Sequence, residues 1–403
     1  MNQLRQHYFD SIRGIASVSV VIAHYLAAFY PYTILGSQGI YPQRTVWEII
    51  IFMPPFGPLV HGPISVWLFF ILSGYVLSYG YLGEPLNIIR ILDAMLRRPI
   101  RLGGIVLFTI FLSSNLWWFH LYFNAAVAGL SHSKPWFSSF WEGEILPYKV
   151  LIDIITAMFK KAELYNPPFW TIRVELYGSL LIFLLMLVAG RLKYRLLLFL
   201  AVTISLLTVK SEFSRCSGLI TGVMVADFVK THNFIIRLKA KNLFSVILGL
   251  AFLYFSSYER LSRNIYVKEH VYAFIPKDSE LGLYPLLSAL SLFLLVITND
   301  RLKSFLQHPL FQFLGKISYA MYAIHFIILG SVSSWLFLML NHRLPYGLSF
   351  LLVSLLSAPI IILTSIWMTK YIDEPSTKAA AYASKRIIAL GEKSISLVTG
   401  QTK

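Results

Sequence analysis

The sequence predicts an all-α protein, a transmembrane bundle of about ten helices, and three observations predict this fold class. Of 403 residues, 57% are hydrophobic and 13% charged, whereas soluble domains have about 45–50% apolar and roughly 25% charged residues. The mean hydropathy is +0.65. Apolar runs of about 20 residues, long enough to cross a bilayer as a helix, recur along the chain. Cys216 is the single cysteine, which excludes an internal disulfide and a multi-cysteine metal site.

The apolar runs define ten predicted spans. In chain order they cover residues 9–30, 59–82, 101–123, 169–189, 193–209, 213–229, 243–258, 281–299, 316–340 and 346–371. The fifth is short and the sixth contains Asp227, which makes the count accurate to about one. The sequence contains no repeat. It predicts a membrane domain over residues 1–375 and a basic amphipathic cytoplasmic tail over residues 376–403.

The charge pattern indicates how the chain is oriented. The formal net charge is +16, which in a soluble protein would suggest nucleic acid. Here the basic residues lie in short connections between apolar runs, and they are more numerous on one side. The positive-inside rule then predicts that both termini are cytoplasmic, and no nucleic-acid partner is expected. No cleavable signal peptide is expected, since the first run contains Arg13 and His24 and no small-residue cleavage site follows.

The first predicted span contains three ionisable residues: Asp10, Arg13 and His24. Charge inside a membrane is costly, so each is a candidate functional residue. His24 follows Arg13 by eleven positions, which places both on one helix face about 16 Å apart along the axis. Asp10 lies three residues before Arg13 and is expected to pair with it. The alternative is that Arg13 reaches the inner surface and His24 is a packed core residue.

Three arginines lie at the inner end of the third predicted span, in the segment LRRPIRL. Arg98 and Arg101 are three residues apart and should share a helix face. Guanidinium groups bind phosphate through paired hydrogen bonds. Positive-inside anchoring explains the same residues, so both interpretations remain open.

The fourth and ninth spans contain further polar residues. Arg173 and Glu175 lie at the predicted outer entrance of the fourth span, where they either form a helix-end pair or Glu175 meets His24. The ninth span has polar side chains on one face, either at a site or in a hydrogen-bonded packing network: Ser318, Tyr322 and His325.

A long outer segment is predicted over residues 124–168. Its aromatic residues lie near two carboxylates, and they are Trp136, Phe137, Phe140 and Trp141, followed by Glu142 and Glu144. This combination suits stacking and hydrogen bonding to a sugar. Anchoring at the membrane interface explains it equally well.

Six phrases, in order along nearly the whole chain, resemble the acyltransferase-3 family of integral membrane acyltransferases. They are Asp10 with the Arg13 and His24 pair, LFFILSGYVLS (68–78), RPIRL (98–102), PPFWTIRVELYGSLL (167–181), LGKISYAMYAIHF (314–326) and YIDEP (371–375). Three positions depart from the family pattern. Trp67 stands where an acidic residue is frequent, Gly103 replaces a proline, and Thr171 replaces a serine.

The resemblance implies ten helices in the bacterial plasma membrane and transfer of an acyl group, commonly acetyl. The donor is cytoplasmic acyl-CoA as a co-substrate, with no bound cofactor or metal, and the acceptor is a hydroxyl of a surface or lipid-linked glycan. His24 is then the general base, which Glu175 orients, and Arg13 with Asp10 completes the catalytic group. The expected donor-binding residues are Arg98, Arg101, Ser73 and Gly74. Structural or acceptor-side roles are expected for Trp170, Tyr177, Ser318, Tyr322 and His325.

Two alternatives remain open from the sequence. In the first, the buried Arg, His and Glu residues form a proton relay or substrate site of a transporter that exports an acylated or anionic small molecule. In the second, an acyltransferase of the same fold uses a lipid or small-metabolite acceptor. Direct transfer is expected rather than an acyl-enzyme, because no serine is obviously paired with a base.

Overall fold

The computed structural model describes residues 7–36, 40–156, 159, 162–209, 211–232, 242–262, 265–275 and 282–399, and these contain helices and no β-strand. The long helices are α1 (His7–Phe29), α2 (Gly62–Tyr79), α3 (Ile88–Trp118), α4 (Trp170–Ala189), α5 (Arg195–Thr208), α6 (Cys216–His232), α7 (Asn242–Leu261), α8 (Leu283–Thr298), α9 (Pro309–Asn341), α10 (Tyr346–Met368) and α11 (Glu374–Thr399). Helix α9 contains a π-helical turn at Leu329–Ser333, and a second one at Thr369–Asp373 joins α10 to α11.

Shorter helices occupy the connections. The α-helical ones are Tyr32–Leu35, Val46–Phe52, Phe56–Leu59, Asn124–Ser131, Pro147–Thr156, Ile265–His270 and Asp300–Leu306. The 3₁₀ turns are Phe137–Ser139, Ala162–Leu164, Pro167–Phe169 and Glu212–Arg215. The last two of these turns directly precede α4 and α6, so they fix where those helices enter the bundle.

The all-α prediction is confirmed, and each of the ten predicted spans corresponds to a helix. Six helical segments of the described chain are long and apolar enough to cross a membrane, or seven if α8 and the helix after it, bent by 92°, count as one span. The shorter apolar segments are α5, with 14 residues, and Asn242–Tyr258 of α7. Because a membrane helix needs about 20 apolar residues, the count of ten is approximate.

Close backbone contacts at glycines bring pairs of helices together. A Cβ atom on Gly14 of α1 would lie 2.5 Å from the backbone nitrogen of Gly315 in α9. A Cβ atom on Gly74 of α2 would lie 1.8 Å from the carbonyl oxygen of Leu219 in α6. Small residues allow such approaches in membrane bundles, where dispersion contacts drive helix association. The α1–α9 contact matters for function, since these helices supply His24 and His325.

The apolar core forms two large clusters. One contains buried residues of α2, α4, α6 and α8, and the other those of α3, α9 and α10. Helices α1 and α4 contribute to both clusters, Ile12 and Tyr25 being the examples from α1. The predicted site residues of α1 and α4 therefore lie where the two clusters meet.

The predicted tail is part of the helical bundle rather than a separate surface helix. Helix α11 continues from α10 and packs against the first half of α3. The Ser384 hydroxyl donates to Asp93 at 2.6 Å and accepts from Arg97 at 3.2 Å. This packing explains why α3 begins at Ile88, well before the apolar run that predicted it. Residues 400–403 lie outside the described part of the chain.

Candidate active site

Two cavities meet inside the bundle. The histidine cavity, lined by His24, Trp136 and Trp170 among others, has a volume of about 660 Å³. The arginine cavity, lined by Arg13, Arg98, Arg101 and others, has a volume of about 970 Å³. The side chains of Val66 and Tyr322 line both. The two cavities are therefore neighbouring compartments with a shared wall.

Two histidines from opposite ends of the chain form a hydrogen-bonded pair at the histidine cavity. Nδ1 of His24 lies 2.9 Å from Nε2 of His325, and Nδ1 of His325 lies 3.1 Å from the carbonyl oxygen of Met321. A carbonyl oxygen only accepts, so Nδ1 of His325 carries the hydrogen when the ring is neutral. Nε2 of His325 then accepts from Nδ1–H of His24. This chain of hydrogen bonds leaves a lone pair on Nε2 of His24, as a general base requires.

Aromatic side chains surround the His24 ring. The indole of Trp136 lies parallel to it, with ring centroids 6.2 Å apart and planes 5° apart. The ring of Phe326 meets it edge-on at 5.0 Å. Trp136 and Phe140 line the cavity, whereas Phe137 and Trp141 are buried in the core. The aromatic loop singled out in the sequence thus supplies both a cavity wall and apolar core.

The arginine cavity collects charged residues from five helices, α1, α3, α4, α9 and α11. Arg98 and Arg101 of α3 both face it, as their spacing predicts, together with Arg13 of α1. Asp10 forms the predicted ion pair with Arg13, with 4.0 Å between Oδ1 and the guanidinium nitrogen. Arg97 does not line this cavity, and it pairs with Asp93 at 2.6 Å. The neighbouring arginines of LRRPIRL therefore have different environments.

Glu175 lines the arginine cavity, and its predicted contact with His24 is wrong. Its carboxylate forms an ion pair with Arg98 at 2.8 Å, between two largely buried side chains. Five residues before it on α4, Trp170 faces the histidine cavity. The helical rotation and rise between the two positions turn Glu175 toward α3. His325 is the residue that contacts the ring nitrogen of His24.

Arg173 belongs to a different group from Glu175. Its guanidinium donates to Glu163 at 3.0 Å and also pairs with Glu212. These contacts tie the start of α4 to the segments before α4 and α6. The predicted helix-end pair joined Arg173 to Glu175, whereas in the structure Arg173 pairs with Glu163 and Glu212 and Glu175 pairs with Arg98.

The other predicted residues divide between the cavities and the packing. Ser73 and Ser318 line the arginine cavity. Tyr322 donates to the carbonyl oxygen of Pro168 at 3.1 Å, and its hydroxyl lies 2.9 Å from that of Thr171. Neither Gly74 nor Tyr177 lines either of these two cavities. The donor-binding role predicted for Gly74 needs correction, because this residue packs against α6. Tyr177 packs against the ring of Phe213 at 5.5 Å, which agrees with the structural role among its two predicted roles.

Several cavity residues were missed by the sequence analysis. Lys316 and Lys378 line the arginine cavity beside Asp373 of the closing phrase. Arg215 lines the histidine cavity, with its guanidinium 4.4 Å from the ring centroid of Trp170. Lys316 lies within the phrase that contains His325, and this was the signal available. Arg215 lies outside every phrase.

In the described part of the chain, no group of three or more His, Cys, Asp or Glu side chains is arranged to hold a metal ion.

Apolar spanning helices around two polar cavities define a multi-pass membrane protein with its site inside the helix bundle. The chain belongs to the acyltransferase-3 family, because the family model described as an acyltransferase domain (Acyl_transf_3) matches residues 6–369. No curated protein and no solved structure matches the chain. The protein is therefore a membrane acyltransferase, and the family match spans all the predicted site residues.

Proposed function

We propose that the protein transfers an acetyl group from cytoplasmic acetyl-CoA to a hydroxyl of a surface or exported glycan, in the bacterial plasma membrane. The observation that carries this proposal is the His24–His325 pair, which lies at a cavity adjoining the one lined by Arg13, Arg98 and Arg101. An activated base in one compartment and a phosphate-binding surface in the next match a reaction with two different substrates.

The arginine cavity supports binding of the donor. Arg98, Arg101 and Lys378 come from α3 and α11, whose polar halves pack together. The positive-inside rule assigns the basic ends of these helices to the cytoplasm, where acyl-CoA occurs. Guanidinium and ammonium groups bind the phosphates of CoA by charge-assisted hydrogen bonds. The thioester then lies toward Tyr322, at the shared wall.

The histidine pair supports direct transfer. Nε2 of His24 takes the proton of the acceptor hydroxyl as that oxygen attacks the thioester carbonyl. The C–S bond then breaks, an ester forms, and the CoA thiolate leaves and takes up the proton from His24, which regenerates the base. His325 keeps the proton of His24 on Nδ1 and stabilises the imidazolium that forms transiently. A base of this kind contributes about 10²–10⁴ in rate.

The histidine cavity supports a sugar acceptor. Trp136 and Trp170 present aromatic surface to it, and such rings combine apolar area with a polar edge. Arg215, Ser211 and Ser214 add hydrogen-bonding groups. A cavity of about 660 Å³ falls within the range of about 300–1,000 Å³ common for small-ligand sites.

The test is acetyl transfer by the purified protein in lipid nanodiscs. Radiolabelled acetyl-CoA is supplied with candidate glycan acceptors, and labelled ester is measured. We expect ester formation by the wild type and a loss of about 10²–10⁴ in rate for His24→Ala. His342→Ala is the control, since His342 is exposed and lines neither cavity. Normal activity of His24→Ala would overturn the catalytic role, and transport of label without ester formation, measured with the protein in sealed proteoliposomes, would favour the exporter alternative.

A further inference from the structure

The shared wall between the two cavities consists of two side chains. Among the described residues, Val66 of α2 and Tyr322 of α9 are the ones that line both the histidine cavity and the arginine cavity. Both are buried, with exposed fractions of 8% and 7%. The two cavities therefore approach each other at these two residues. If the donor lies in one cavity and the acceptor in the other, the acyl group must pass between these two side chains.

The Tyr322 side of the wall is held firmly. Its hydroxyl donates to the carbonyl oxygen of Pro168 at 3.1 Å and lies 2.9 Å from that of Thr171. The ring of Phe69 meets the Tyr322 ring edge-on, with centroids 6.0 Å apart. A tyrosine fixed at both its hydroxyl and its ring does not turn aside easily. The width of the passage then depends on the side chain opposite, Val66.

Val66 is also a rigid residue. A β-branched side chain in a helix has one strongly preferred χ1 rotamer. It lies in the interior of α2, beside Trp67 and within the larger apolar cluster. Its two methyl groups therefore occupy a fixed position in the wall.

The passage opens directly at the reacting atoms. Tyr322 and His325 are three residues apart on α9, and their ring centroids are 5.9 Å apart. His325 in turn contacts His24. A carbonyl carbon that has just passed Tyr322 is thus within about one helical turn of the proposed base. In an acyl-CoA the alkyl end of the acyl group leads and the carbonyl follows. A longer chain must therefore pass the wall and share the histidine cavity with the acceptor before the carbonyl reaches His24.

We propose that Val66 and Tyr322 form a size filter that limits transfer to short acyl groups, with Val66 as the residue that sets the limit. This inference rests on the proposed function, because it assumes that the donor thioester arrives from the arginine cavity. It adds a specificity-determining residue, and it accounts for selection of acetyl over longer acyl groups by packing alone.

The test compares acyl donors of increasing length. Acetyl-CoA, butyryl-CoA and hexanoyl-CoA are supplied to wild type and variants, and kcat/KM is measured for each. In an apolar pocket, one methylene changes selectivity by about 10–200-fold. We expect Val66→Ala to raise the butyryl-to-acetyl ratio of kcat/KM by at least about tenfold. Val66→Phe should abolish transfer from every donor while CoA binding, measured by titration calorimetry, stays within about twofold of wild type.

Two control variants separate the filter from general loosening of the core. Val66→Thr keeps the volume of the side chain, and Val20→Ala removes the same atoms from a residue that lines only the histidine cavity. Both should leave the butyryl-to-acetyl ratio unchanged. The filter would be overturned by an unchanged butyryl-to-acetyl ratio in Val66→Ala, or by an equal change of this ratio in Val20→Ala. Either result would leave acetyl transfer by the wild type, and thus the proposed function, intact. Absence of transfer by the wild type from any acyl-CoA would instead overturn the proposed function.

Discussion

Replacing His325 by Phe tests whether the histidine pair works as a unit. The variant keeps an aromatic ring in a fully buried position but removes the nitrogen that accepts from Nδ1–H of His24 at 2.9 Å. A buried donor left without an acceptor costs about 1–3 kcal/mol. The proton of His24 is then no longer held on Nδ1. Whenever this proton moves to Nε2, the lone pair of Nε2 can no longer act as the base.

The size of the expected effect follows from that cost. Each 1.36 kcal/mol corresponds to a tenfold change in rate, so a cost of about 1–3 kcal/mol should lower kcat by about 5–160-fold. The KM for acetyl-CoA should be unchanged, since the arginine cavity is untouched. His325→Gln should retain more activity than His325→Phe, because an amide can donate to Met321 and accept from His24 at the same time.

The assay is labelled acetyl transfer in nanodiscs, with thermal unfolding measured alongside to detect any loss of folded protein. A double-mutant cycle adds the decisive comparison. If His325 acts through His24, then His24→Ala with His325→Phe should be no slower than His24→Ala alone. The positioning role of His325 would be refuted if the two substitutions lowered kcat by independent factors that multiply in the double variant. A wild-type kcat in His325→Phe would also refute it.

Three further predictions follow from the charged and close-packed positions. Arg101→Ala should raise the KM for acetyl-CoA about tenfold or more in steady-state kinetics, because a charge-assisted hydrogen bond contributes about 1.5–3 kcal/mol, whereas Arg97→Ala should leave it unchanged. Gly74→Ala should lower the unfolding temperature in detergent, because overpacking between α2 and α6 costs about 1–3 kcal/mol. An unchanged unfolding temperature would mean that α2 and α6 can move apart without loss of stability. Arg195→Ala should destabilise by about 3–5 kcal/mol, since it strips a buried carboxylate of its partner, and Asp227→Asn combined with it should recover part of that loss.

The prediction for Arg195 depends on its partner Asp227. This aspartate interrupts an apolar run of the sequence, within the sixth predicted span. In the structure its carboxylate accepts from Nε and a terminal nitrogen of Arg195 at distances of 2.6–3.0 Å. Thr231 also donates to it at 2.6 Å. Pairing neutralises the charge locally, and so an aspartate is tolerated in the interior of α6.

Two predictions from local helix geometry agree with the structure. The shared face of Arg98 and Arg101 and the pairing of Asp10 with Arg13 both follow from helix geometry over three residues. Predictions of contacts between distant segments were less accurate, as the predicted Glu175–His24 contact illustrates. Glu175 lies only five residues after Trp170, yet the rotation of α4 turns one to the arginine cavity and the other to the histidine cavity.

The sequence by itself determined the class of the protein and identified several ionisable residues of the two cavities, although Lys316, Lys378 and Arg215 were missed. The reason is that bilayer thickness and the cost of burying charge act on each segment separately, whatever the segment packs against. The tertiary structure alone decided which of those residues meet. His24 and His325 are 301 positions apart, and their contact depends on α1 and α9 approaching at Gly14 and Gly315, an interaction between surfaces that no local pattern encodes.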